Sequence, residues 1–490
     1  MNDPEFAPIV SDQDASAHID LYALTHKDIQ EPPATMFAAL SKIGPGLILA
    51  ASIVGTGELI NTTALGAKQG FVLLWLILIS CVIKVFVQVE MGRYAITRGK
   101  TSLAAIDSIP GPRLGVSWIC WCWLVMMLLT IFQIAAMEGL VGEAAVMVFH
   151  GDHGATKGVG PTASIPLWAG GTCVAAIALL LSGGYKRLER ITTVLVALVT
   201  LVTVVGALRV PISWTQIQSG LSFSLPSTQG GLFLAFSAFG ITGVGASELF
   251  AYPYWCIEKG YARAAGPRDD TDAWATRARG WIKVMQLDAW FSMVVFTLAT
   301  VAFYAMGAGI LNKSYAAGTL GDADLGGSGM IRTLAKMYVE ALGPWAKPFF
   351  LAGAWAVLFK TLYVATAANS RMMADFLNLG GFWRYKDSAG RERVVQVFCT
   401  FFPLLALGIF LAEPRPLKLV MIGGVAQALM LPLIAGATLF LRYRDADRRV
   451  GPNRLSDALS WAAFAGTLAV ATYTLGDRLM AVAAWARGVK

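Results

Sequence analysis

A continuous apolar stretch from Gly44 to Gly66 is long enough to cross a bilayer as a helix, and its middle reads Gly55-Thr56-Gly57-Glu58. The hydrocarbon core takes about 20 apolar residues in helical form, and an ionised carboxylate at its centre costs roughly 2.5–3.5 kcal/mol on insertion scales. Two glycines, a threonine and a glutamate there predict a helix that breaks at membrane depth. The pattern recurs downstream, where Val244-Gly245-Ala246-Ser247-Glu248-Leu249 lies over Val54-Gly55-Thr56-Gly57-Glu58-Leu59 with Val, Gly, Glu and Leu identical. Two interrupted helices in corresponding positions of two halves point to the binding site of a secondary transporter.

Composition agrees. Hydrophobic residues make up 56% of the chain and charged residues 14%, against about a quarter charged in ordinary soluble domains. The chain reads as an all-α polytopic membrane protein whose partner is the lipid bilayer. Its net charge of +8 has a source in cytoplasmic loops facing anionic lipid, so no nucleic-acid role is assigned. Cys81, Cys120, Cys122, Cys173, Cys256 and Cys399 fall in or beside apolar segments and read as free thiols. The histidines lie in the polar leader and in one loop, where His150 and His153 read as ordinary loop residues rather than a surface metal pair. No nucleotide-binding loop or hydrolytic motif is present, so neither enzymatic activity nor a cofactor is expected.

Residues 1–42 form a polar leader with seven acids against Lys27 and Lys42, without the apolar core of a signal peptide. Eleven spans follow, at about 43–66, 71–96, 114–149, 164–183, 191–208, 231–256, 283–308, 346–370, 395–412, 417–441 and 457–476. The second is interrupted by Lys84, Gln88 and Glu90, of which Lys84 is expected to snorkel or to pair with an acid. With the amino terminus inside, inner loops and leader hold 25 Lys and Arg, and outer loops and tail hold 12. The excess of positive charge predicts the amino terminus in the cytoplasm and the carboxyl terminus outside. Five spans per half then make an inverted repeat, 43–208 and 231–441, with 442–490 as linker, eleventh helix and outer tail. Spans one and six open the two halves, and their breaks meet near the midplane.

Other residues tie the chain to a known family. Gly44-Pro45-Gly46-Leu47 opens the first span, and Gly66-Ala67-Lys68-Gln69-Gly70-Phe71 with Leu73-Leu74-Trp75 enters the second. Thr97-Arg98-Gly99-Lys100 follows it, Tyr185-Lys186-Arg187-Leu188-Glu189 links spans four and five, and Leu431-Pro432 lies in span ten. At this spacing the chain resembles the Nramp family of proton-coupled divalent metal transporters, which implies a LeuT-type fold. The family's Asp-Pro-Gly-Asn tetrad lands on Gly55-Thr56-Gly57-Glu58, so its Asp is absent and its Asn is Glu58. Its Met-Pro-His-Asn tetrad lands on Gly245-Ala246-Ser247-Glu248, without Met or His. The acids that the family carries in its third helix land on Ala136 and Gly139, with Glu138 and Glu143 displaced. The resemblance therefore implies metal transport but not the usual ligands or proton route.

Carboxylate, hydroxyl and carbonyl oxygens suit hard cations, whereas a thioether favours softer metals. Glu58 and Glu248 are the expected metal ligands, completed by oxygens around Gly55, Thr56, Thr242, Gly245 and Ser247 and by water. The bland alternative makes each glutamate a protonated side chain bonded to carbonyls freed by the break. Asp288, Lys360, Glu138 and Gln427 are candidates for coupling or gating; a helix-entry carboxylate serves equally for Asp288, and an interhelical hydrogen bond for Gln427. The reading is a cell-membrane secondary transporter of a divalent metal cation of the Mg2+ or Mn2+ class. A small organic solute, such as an amine or amino acid, is the alternative on the same fold, and a non-transporting sensor a third. The oligomeric state is open, and a monomer is compatible with it.

Overall fold

A computed structural model describes residues 24, 26–46, 55–150, 164–182, 186–226, 231–327, 329–385, 387–445, 447, 449–451 and 454–486. It is almost wholly helical, as expected of backbone that must satisfy its own hydrogen bonds in lipid. The first span is described at its amino end, 43–46, and again from Gly55 onward, as a π-helical turn Gly57–Thr62 leading into helix α1, Thr63–Gln69. Its upstream part, 47–54, lies outside the described residues, as do most of the leader and His153. Then come α2 (Leu74–Arg98), α3 (Trp118–His150), α4 (Ser164–Ser182) and α5 (Lys186–Arg209). The sixth span is two helices, α6a (Gly231–Ile241) and α6b (Ala246–Glu258). It is followed by α7 (Asp272–Met306), α8 (Ala346–Leu379), α9 (Ser388–Ala412), α10 (Pro416–Asp445) and α11 (Arg454–Ala486). Among the described residues, nine helical segments are long and apolar enough to cross a membrane.

Among the differences from the sequence positions are two span starts and one added helix. Span three begins at Trp118 rather than about 114, because Arg113–Leu114 (β1) and Val116–Ser117 (β2) pair as a small hairpin around Gly115, whose φ is +74°. Span seven begins at Asp272 rather than 283, capped by Thr271, whose hydroxyl accepts from the Trp274 amide at 3.1 Å. Its first turns are polar outside but bury Trp274, Ala278 and Trp281. Between α7 and α8, the helix Met330–Leu342 had no counterpart in the sequence reading; it buries Met330, Ile331, Leu334, Met337 and Tyr338 along one face.

The core is organised around α3, which packs on α4, α8, α9 and α10, while α6a lies along α10 and α7 along α2. Large apolar side chains on α4, α5 and α9, including Leu167, Leu201 and Leu404, stay exposed on the outside of the bundle, where lipid would cover them. Contacts next to the break are made by small residues. A Cβ on Gly240 of α6a would lie 2.0 Å from the Gly424 carbonyl of α10, and one on Gly424 would lie 2.3 Å from Ser237 Oγ. Overpacking of this kind costs about 1–3 kcal/mol. Gly240→Ala is therefore expected to lower the melting temperature of the purified protein, and an unchanged melting curve would show that α6a and α10 are not in this contact.

Candidate substrate site at the helix breaks

The break in span six follows from two glycines. Gly243 has φ +64°, a left-handed conformation that costs a residue with a Cβ about 1–2 kcal/mol. A Cβ there would also lie 3.0 Å from Cys81 Cα and 3.1 Å from the Phe296 ring. Gly245 then turns to extended backbone before α6b starts at Ala246.

The groups freed by the break find partners on three other helices. Lys84 of α2 donates from Nζ to the carbonyls of Phe239 at 2.8 Å and Thr242 at 2.5 Å. Lys84 is fully buried, so the expectation that it snorkels is corrected, and its hydrogen-bond acceptors are carbonyls rather than an acid. One turn back on α2, Ser80 Oγ reaches the same two carbonyls at 3.1 and 3.3 Å and Thr242 Oγ1 at 2.9 Å. On the other side, the Gly243 amide donates to Glu58 Oε1 at 3.2 Å. Thr300 Oγ1 of α7 donates to that same oxygen at 3.3 Å. Glu58, fully buried, thus ties the first span to the break in the sixth and to α7, and its Oε2 has no hydrogen-bond partner among the described residues.

Glu248 belongs to the first turn of α6b, where a carboxylate complements the helix dipole. Its Oε2 accepts from Ser247 Oγ at 2.8 Å. Gln427 Oε1 of α10 accepts from the Ser247 amide at 3.1 Å and lies 3.0 Å from the Ser247 hydroxyl oxygen, and Gln427 Nε2 donates to Gln133 Oε1 of α3 at 3.0 Å. Gln427 therefore makes the interhelical bond that was one of its two readings. Ser247 and Glu248 line a cleft of about 490 Å3, open mouth included, with Thr130, Gln133, Thr361 and Asn369. Gly55 approaches this cleft from the first span, since a Cβ on it would lie 2.6 Å from Thr361 Oγ1. The two glutamates lie on either side of the sixth-helix break, within electrostatic reach of each other and of Lys84. Among the described residues no hydrogen bond joins them, and no three His, Cys, Asp or Glu side chains form a ready-made metal cage. An ion here would meet carboxylate, hydroxyl and amide oxygens. Two sulfur atoms that the sequence did not place here lie nearby: Met137 of α3 lines the cleft, and Cys81 packs on Gly243.

The coupling candidates fall elsewhere. Asp288 of α7 accepts from the Gly44 amide at 3.1 Å and the Gly46 amide at 2.5 Å, so it holds the amino end of the first span rather than its own helix. Lys360 of α8 donates to Thr193 Oγ1 of α5 at 2.6 Å. Glu138 of α3 is fully buried, and neither of its carboxylate oxygens has a hydrogen-bond partner among the described residues. Glu143, five residues further along, accepts from the Ile331 and Arg332 amides at 3.0 and 3.4 Å and so caps the helix Met330–Leu342.

A bundle of apolar helices, with an acid-bearing glycine break in span six joined by a hydrogen bond to a second acid-bearing turn in span one, defines a secondary transporter of the broken-helix class. The family model described as natural resistance-associated macrophage protein-like, Nramp, matches residues 46–477, and the chain belongs to that family. It is 24% identical over 411 residues to the divalent metal cation transporter MntH of Acidiphilium cryptum, covering 82% of each chain. Its fold resembles that of a mutant manganese transporter of Eremococcus coleocola, with a TM-score of 0.59 and 18% identity over 92% of this chain and 90% of that one. The structure of MhsT in complex with L-phenylalanine shares the fold at a TM-score of 0.54 and 15% identity, over 90% and 99% of the two chains.

Proposed function

We propose that the protein moves a divalent metal cation of the hard class, Mg2+ or Mn2+, across the cell membrane by alternating access, binding it at the sixth-helix break. The observation that carries this reading is the pair of glutamates flanking that break. Glu248 stands on the cleft wall with Ser247, and Glu58 stands on the Gly243 amide with one oxygen unpartnered among the described residues. The names of the similar transporters, one of divalent metal cations and one of manganese, support the substrate class. The organic-solute alternative is weaker for a local reason. A substrate carboxylate would seek the amino end of α6b, where Gln427 already takes the Ser247 amide and Glu248 adds a negative charge.

Flux into proteoliposomes is expected to be saturable for Mg2+ or Mn2+. Uptake of an amine or amino acid with none of Mg2+, Mn2+ or Ca2+ would replace this reading with the alternative. Cadmium is expected to compete weakly, because oxygen donors dominate the site. Tight cadmium competition that disappears in Met137→Leu would instead make the cleft thioether a ligand.

The proposed orientation places the amino terminus in the cytoplasm and the carboxyl terminus outside, from the 25-to-12 distribution of Lys and Arg. A carboxyl-terminal tag on intact cells is expected to react with an impermeant label, and an amino-terminal tag to be protected. The reverse pattern would invert the molecule.

A further inference from the structure

Lys84 poses a problem that capping alone does not solve. The carbonyls of Phe239 and Thr242 need donors once α6a stops, and Ser80 Oγ already stands within hydrogen-bond distance of both. A neutral side chain would complete that set. The chain instead places there a fully buried ammonium, 2.8 and 2.5 Å from the two oxygens and 5.3 Å from the centre of the Phe239 ring. Burying a lysine at membrane depth is costly, and such residues pair with acids or backbone carbonyls and mark ion pathways. What surrounds it is suited to a cation. The carboxyl end of a half-helix carries partial negative charge, two carbonyls and the hydroxyls of Ser80 and Thr242 converge, and the acids Glu58 and Glu248 are within electrostatic reach. Unwound carbonyls and half-helix ends of this kind coordinate monovalent cations in broken-helix transporters.

We propose that the Lys84 ammonium is a tethered cation filling a monovalent-cation site built by the sixth-helix break. The break then keeps its shape without a co-bound alkali ion, and Glu58 and Glu248 remain for the transported one. Lys84 is in these terms a positioning residue, fixing the carbonyl end of α6a so that the Gly243 amide faces Glu58. The inference does not depend on which solute is carried.

The test is thermal melting of the purified full-length protein in sodium, potassium, lithium or choline chloride at equal ionic strength. The native protein is expected to melt at one temperature in all four. Lys84→Ala removes the ammonium and opens the oxygen set. It is expected to melt lower in choline and to recover, with saturation, in at least one alkali salt, because a ligand that binds only the folded state raises its stability. Lys84→Arg, which keeps the charge, is expected to remain indifferent to the salt. Lys84→Met, which keeps most of the stem without the charge, is expected to melt low in choline like the alanine variant, whereas a packing role alone predicts that it melts like the native protein. Salt-independent melting of Lys84→Ala, or an equal alkali response in the native protein, overturns the proposal. So does failure of both neutral variants to fold in every salt, since an alkali ion then does not replace the ammonium.

Discussion

Glu58→Gln and Glu248→Gln are each expected to reduce metal uptake at least about tenfold, equivalent to roughly 1.4 kcal/mol of lost binding. Both should leave the fold intact. A glutamine oxygen at position 58 can still accept from the Gly243 amide and Thr300, and one at position 248 can still accept from Ser247, so the geometry of the break is kept while the charge is lost. If the two acids act on one cation, the double variant loses little more than either single one, because neighbours sharing a partner are not additive. Uptake into proteoliposomes, normalised to folded protein by size-exclusion chromatography, measures this. Normal transport by both variants, or losses that multiply as for independent sites, would return each glutamate to a local structural role.

The second large effect lies at the end of α2 away from the break. Arg442 of α10 reaches Glu90 of α2 at 2.7 Å and Asp457 of α11 at 2.6 Å, and both its side chain and that of Glu90 are almost wholly buried. Glu90 also takes Arg93 at 3.2 Å. Removing one member of a buried ion pair leaves an uncompensated charge and costs about 3–5 kcal/mol. Arg442→Met is expected to fall near the lower end of that range, since Arg93 remains, and to appear as a clear drop in melting temperature. Adding Glu90→Gln should restore part of it. Equal stability of Arg442→Met and the native protein would show that the three helices are not joined here. The network also fastens α11 to α2 and α10.

Features encoded by neighbouring residues could be read from the chain. Gly243 announces the break because its left-handed backbone strains a residue with a Cβ, and Gly245 because a Cβ there would crowd Gln427 and Glu248, and the Nramp relationship was visible in short motifs such as Gly44-Pro45-Gly46 and Gly66-Ala67-Lys68-Gln69-Gly70. Partnerships across long separations were not legible. Lys84 and Thr300 reach the break from α2 and α7, and nothing in their local sequence names Phe239 or Glu58 as partner. Asp288 read equally as a coupling or gating residue and as a helix-entry carboxylate, yet its oxygens accept from amides some 240 positions earlier. The helix Met330–Leu342 was missed for another reason. A search for apolar spans cannot see a half-polar helix, although Ile331, Leu334, Met337 and Tyr338 carry the three- and four-residue spacing that would have revealed it. Met137 had no signal at all, since thioethers are common in apolar helices and only packing places one on a cleft.

The grip of Asp288 on Gly44 and Gly46 sets an energy scale for any movement of the first span away from α7. A hydrogen bond of this kind is worth about 0.5–1.5 kcal/mol net, so releasing two asks for about 1–3 kcal/mol. Turning a two-state population from 1:99 to 99:1 takes about 5.5 kcal/mol. Two glycine amides on one carboxyl therefore bias the position of the first span without fixing it, by less than the differential affinity that a full reversal of populations requires.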